Sequence, residues 1–82
     1  MVTIEYDPSF ERAVEKIRDA GLKERVKKHI IKIIEHPEIG KPMRFSRKGT
    51  REVYVSPYRL SYMFFENDQK IVFLDLYHKD EQ

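Results

Sequence analysis

The chain has 82 residues, of which 40 % are hydrophobic, 12 % aromatic and 37 % charged, with a formal net charge of +2. That length holds one domain, 1–82, and a domain this small buries only about 60 % of the surface its unfolded chain exposes, so its margin of stability is thin. The absence of cysteine excludes disulfides and thiolate metal sites and fits a reducing, cytoplasmic compartment. No apolar run approaches the roughly 18 residues that a membrane span needs.

The segment Met1–Tyr6 alternates Val2, Ile4 and Tyr6 with Thr3 and Glu5, and reads as a first strand rather than a signal peptide. Asp7-Pro8 then starts a helix, because Asp can cap it and Pro loses nothing at the first helical position. Phe10, Ala13, Val14 and Ile17 form one helical stripe, and Ala20-Gly21 ends it. A second helix runs from Leu22, with Val26, Ile30 and Ile33 on one face and Lys23, Arg25, Lys27, Lys28 and Lys32 mostly on the other. Pro37 stops it. A single break between the two predicts an antiparallel helical hairpin.

Pro37 to Thr50 is loop-rich, with a short strand around Met43–Phe45. Residues 41–51 concentrate the basic charge: Lys41, Arg44, Arg47, Lys48 and Arg51 occur without an acid. Such a run is either a solvated loop or one that tracks phosphates.

From Arg51 the period changes to two, and Glu66–Gln69 is a turn signal. A turn at Ser56-Pro57 pairs Val53 with Leu60 and Tyr54 with Arg59. A turn through Asn67, Asp68 and Gln69 pairs Leu60 with Leu76, Arg59 with Tyr77, Ser61 with Asp75, Tyr62 with Leu74 and Phe64 with Val72. These registers bury one aliphatic face. The fold class is therefore α+β, β-α-α-β-β-β, an antiparallel meander with the helical hairpin packed on one face.

The opposite face collects Glu52, Tyr54, Arg59, Ser61, Asp75, Tyr77 and Lys79. An arginine between two aromatic rings can bind a phosphate through two parallel N–H groups while the rings stack on bases. The competing reading pairs Arg59 with Asp75 or Glu52, as surface sheet arginines do. Met63, Phe65, Ile71 and Phe73 fall on the same outer face, more apolar surface than a monomer leaves bare, which points to a partner or a homodimer through that face.

Four segments carry a family resemblance: Gly40-Lys41-Pro42-Met43-Arg44, Gly49 through Val55, Tyr58-Arg59-Leu60-Ser61-Tyr62, and Leu76-Tyr77-His78-Lys79. In order and spacing they resemble the RelE/ParE toxins, and the likeness spans nearly the whole chain. The resemblance implies a β-α-α-β-β-β toxin of a toxin–antitoxin pair, neutralised by a cognate RelB-like antitoxin that wraps it. RelE-type members cut messenger RNA in the ribosomal A site without metal or cofactor, whereas ParE-type members inhibit DNA gyrase. Carried over by position, Arg59 matches the arginine that stabilises the scissile phosphate, and Lys79 matches a second basic position, usually arginine, keeping its charge but not its fork. Glu52 and Tyr54 stand where the family has two lysines. The family's late tyrosine has no counterpart within these residues, leaving Tyr77 or Tyr54 as the substitute. Arg44, Arg47, Lys48 and Arg51 are the nucleic-acid-binding candidates.

No other chemistry stands out. His29, His36 and His78 show no metal-ligand spacing with the acids, Ser46, Ser56 and Ser61 lack an adjacent base, and no glycine-rich phosphate loop occurs. Two functions follow: a RelE-like ribosome-dependent endoribonuclease, or a ParE-like or degenerate toxin fold that acts by binding and cuts nothing.

Overall fold

The computed structural model describes residues 2–44 and 49–81. Along the chain run β1 (Thr3–Tyr6), α1 (Pro8–Glu15), α2 (Ala20–Glu35), β2 (Lys41–Pro42), β3 (Arg51–Val55), β4 (Tyr58–Phe65), β5 (Lys70–His78) and a closing 3₁₀ turn, Lys79–Glu81. The five strands form one sheet in the order β1-β5-β4-β3-β2.

The α1 start follows the sequence reading: Asp7 accepts a hydrogen bond from the Ser9 N–H at 2.9 Å, and Pro8 sits in the first turn. The boundary between the helices differs. α1 stops at Glu15, and Ala20 and Gly21 open α2 instead of closing α1. Asp19 is the cause, because its carboxylate accepts from Gly21 N at 2.8 Å and Leu22 N at 3.2 Å, satisfying donors that a helix start leaves unpaired. Ile17 is buried in the connection between the two helices. α1 packs chiefly against β5 and α2 against β3, so the helices meet different strands.

The meander of β3, β4 and β5 is antiparallel as expected, but the whole sheet is mixed. β1 lies beside β5 and parallel to it, pairing Ile4 with Ile71 and Tyr6 with Phe73. The two helices between β1 and the meander supply the long connection that a parallel neighbour needs. The short strand expected at Met43–Phe45 lies instead at Lys41–Pro42; Phe45 is outside the described residues.

The first hairpin has the expected register, Val55 opposite Tyr58 and Val53 opposite Leu60, and its Ser56–Pro57 peptide is cis. The second hairpin keeps the expected pairs only as far as Ser61–Asp75. There the register shifts, and Tyr62 meets Phe73 rather than Leu74, while Phe64 meets Ile71 rather than Val72. Leu74 is the extra residue of a bulge. Beyond it the faces of β5 exchange: Ile71 and Phe73 are fully buried, and Val72, opposite Met63, takes the outer side. The outer apolar patch expected of Met63, Phe65, Ile71 and Phe73 therefore loses Ile71 and Phe73, half of its members, and with them much of the case for a homodimer through that face.

The core joins Phe10, Ile17, Leu22, Val26 and Ile33 to Val55, Leu60, Tyr62, Ile71, Phe73 and Leu76. Each such side chain stabilises the fold by about 1.5–3 kcal/mol through burial. Phe73 organises one end, with its ring centroid 5.4 Å from Tyr6, 5.5 Å from Phe10 and 6.2 Å from Tyr62.

Tyr62 brings a polar atom into this core and satisfies it twice. Its hydroxyl donates to the Pro37 carbonyl at 2.7 Å and accepts from the Gly40 N–H at 2.9 Å, so the loop after α2 is fastened to the sheet. Burial pushes the phenol above its ordinary value of 10.0, against the smaller opposing pulls of the Gly40 hydrogen bond and the Arg51 charge. Replacing Tyr62 by Phe strands both loop groups, and urea unfolding should show a loss of about 1–3 kcal/mol. Because the folded phenol holds its proton more tightly than the unfolded one, this part of the wild-type advantage persists below pH 10.0 and shrinks above it, as melts of the two proteins across that range should show.

Candidate functional site

Strand alternation decides which side chains share the face away from the core. β3 offers Glu52 and Tyr54 there, β4 offers Arg59 and Ser61, and β5 offers Asp75 and Tyr77, with Tyr54 and Tyr77 flanking Arg59 across the strands. Lys41, Pro42, Met43 and Arg44 rise beside them and close an open groove of about 610 Å³ whose remaining lining is Glu52, Tyr54 and Arg59.

Arg59 is the charged centre of this groove. Its side chain is 38 % exposed, and its Nη1 lies 3.7 Å from Oε1 of Glu52, whose own side chain is 3 % exposed. The guanidinium carbon is 6.0 Å from the Tyr54 ring centroid, within reach of a cation–π attraction. The Arg59 Nε is buried and has no hydrogen-bond partner among the described residues. Glu52 is held from the other side by the Tyr77 hydroxyl, which donates to Oε2. Asp75, the other acid considered for Arg59, instead accepts from the Leu76 N–H at 2.8 Å. The pairing of Arg59 with Glu52 is thus present, and the side chain that makes it also lines the groove.

The remaining sequence candidates divide. Tyr54 and Arg44 reach the groove, and the Tyr77 hydroxyl meets Glu52 of its lining. Lys79 lies outside the lining: it begins the closing 3₁₀ turn, and its N–H donates to the Pro57 carbonyl at 3.1 Å. Arg47 and Lys48 lie outside the described residues. Arg51 pairs with Tyr62 on the opposite face and donates through Nη1 to the carbonyls of Glu38, at 3.1 Å, and Gly40, at 2.9 Å. As placed, it straps the loop rather than facing the groove. His78 packs edge-on against Tyr58, its Nδ1 accepting from the Asp80 N–H, and His29 donates to the Arg25 carbonyl.

Lys41 is the groove residue that the site assignment left out. It belonged to the basic run, but only the β2–β3 pairing of Lys41 with Glu52 puts it on the wall. That pairing rests on Gly40: a Cβ there would stand 2.5 Å from the Tyr62 hydroxyl, 2.7 Å from its ring and 2.9 Å from the Arg51 Cβ.

The sequence pattern of one family, described as the ParE toxin of the type II toxin–antitoxin system parDE, matches residues 4–82. The chain belongs to the ParE toxin family. No curated protein matches this toxin in sequence. In structure it is similar to a chain of the toxin–antitoxin complex RelBE2 from Mycobacterium tuberculosis, with a TM-score of 0.82 and 22 % identity over 95 % of this chain and 98 % of that one. The YoeB/ParE toxin from Agrobacterium tumefaciens gives 0.83 and 15 %, covering 94 % and 98 %. YafQ from E. coli gives 0.77 and 22 %, covering 99 % and 97 %. At these identities the likeness concerns the fold, and it agrees with the RelE/ParE resemblance of the sequence.

Because Gly40 sets the wall of the ParE-family toxin's groove, Gly40→Ala should cost about 1–3 kcal/mol in thermal or urea unfolding, the usual penalty for overfilling a packed site.

Proposed function

We propose that this toxin is a RelE-like endoribonuclease that cuts messenger RNA on the ribosome in the cytoplasm and is held inactive by a cognate RelB-like antitoxin. The observation that carries the reading is the Arg59 guanidinium, set in an open groove beside the Tyr54 ring with Lys41 and Arg44 on the wall. Cleavage by a 2′-hydroxyl builds negative charge on the phosphate, and a guanidinium fixed beside it stabilises that charge as it develops. Arg59 takes that role. Tyr54, exposed in the groove, stacks on a base or passes a proton, whereas the Tyr77 hydroxyl is engaged by Glu52. Arg44, with Arg47 and Lys48 following it in sequence, supplies contacts to flanking phosphates, and Lys79 serves a more distant one. The antitoxin assignment draws on the family and on structural relatives solved as toxin–antitoxin complexes.

A second reading, a ParE-like toxin that acts by binding alone, is favoured by Glu52. A buried acid beside Arg59 offsets the cation on which phosphate chemistry relies, and Lys79 stands outside the groove. Primer extension on translated messenger separates the two. The first predicts ribosome-dependent cuts that fall about 100-fold or more in Arg59→Ala, the scale of losing one transition-state donor. Intact messenger together with inhibited gyrase supports the second.

A further inference from the structure

We infer that Glu52 is a counter-ion lock on Arg59, a carboxylate built into the groove that competes with an RNA phosphate for the guanidinium and limits how tightly the resting toxin holds RNA. The inference rests on the reading of Arg59 as the phosphate-binding residue and adds to it the element that regulates it.

A carboxylate whose side chain is only 3 % exposed depends on protein partners rather than water for its charge. Among its partners Glu52 has the Tyr77 hydroxyl on Oε2 and the Arg59 guanidinium 3.7 Å from Oε1. The first is a hydrogen bond; the second is longer than one and leaves the guanidinium able to depart. Arg59 has more than a third of its side chain exposed and lines the groove, so the outer part of its guanidinium is open to a ligand. An incoming phosphate therefore finds a cation with donors to give, but it must settle beside an anion of like charge in a partly desolvated place, where repulsion is stronger than in water. Bidentate binding of the phosphate also turns the guanidinium away from Glu52. Both effects oppose RNA until other contacts outweigh them.

The rival role for Glu52 is simple orientation of Arg59, and it predicts the opposite sign. Binding of a 2′-O-methyl RNA hexanucleotide, which a 2′-hydroxyl mechanism cannot cleave, is read by fluorescence anisotropy. Glu52→Gln keeps the shape and can still accept from Tyr77. It should bind about tenfold more tightly, as expected when one close like charge is removed. The slope of log affinity against log salt should steepen by about 0.7, the increment for one more phosphate contact on a single strand. Adding Arg59→Ala to Glu52→Gln should abolish the gain. Tyr77→Phe should move binding the other way, since a carboxylate that loses its hydroxyl donor leans harder on its remaining partners, Arg59 among them; this variant decides the matter alone if circular dichroism shows Glu52→Gln unfolded. Unchanged or weaker binding by a folded Glu52→Gln, or unchanged or tighter binding by Tyr77→Phe when it stands alone, overturns the lock. Equal binding by wild type and Arg59→Ala overturns instead the underlying reading of Arg59.

Discussion

Leu60 is fully buried and pairs with Val53 on one side and Leu76 on the other. Side chains along a strand alternate between faces, so fixing this row of three beneath the helices fixes its neighbours outside. Arg59 and Ser61, Tyr54 and Glu52, Asp75 and Tyr77 have no other place to go. A slip of one residue in either pairing would put the guanidinium into the core, where its charge has no partner. The candidate site is therefore a consequence of hydrophobic register, and the aliphatic row does as much to define it as any charged group.

The groove's second wall depends on a different contact. The Tyr62 hydroxyl and the Arg51 guanidinium both bind the loop that follows α2, one at Pro37 and Gly40, the other at Glu38 and Gly40. The loop then enters β2 and pairs with β3, which brings Lys41 alongside Glu52. A core tyrosine thus positions a surface lysine. Arg51 shows how a basic residue within a basic run can be committed to carbonyls instead of phosphates.

Much of this was legible beforehand because the alternation between Arg51 and Ser61 has one phase only: Val53, Val55 and Leu60 are aliphatic, and the residues between them, the turn proline apart, are polar or aromatic. That single phase sets Tyr54 opposite Arg59, the pairing the sheet has. β5 gave no such guidance, since Ile71 and Phe73 are as apolar as Val72 and Leu74, and a period-two pattern cannot reveal a bulge when both phases would satisfy the core. The parallel placement of β1 was hidden because a strand of four residues carries no mark of its partner. The Asp19 cap was visible in principle: an aspartate two residues before a glycine outweighs that glycine's pull toward a helix end when its carboxylate reaches the next N–H groups. The loop strap at Arg51 had no local signal, because its acceptors are main-chain carbonyls 11 and 13 residues away.

The bulge at Leu74 divides the last strand into two stretches with separate obligations. Toward the turn, Ile71 and Phe73 answer to the helices and to β1; toward the chain end, Asp75 and Tyr77 face outward into the polar cluster. An unbroken strand would lock these demands into one alternation, so that altering one set would disturb the other. With a spare residue between them, each stretch keeps its own alternation, and the outward one stays anchored to the same interior through Leu76.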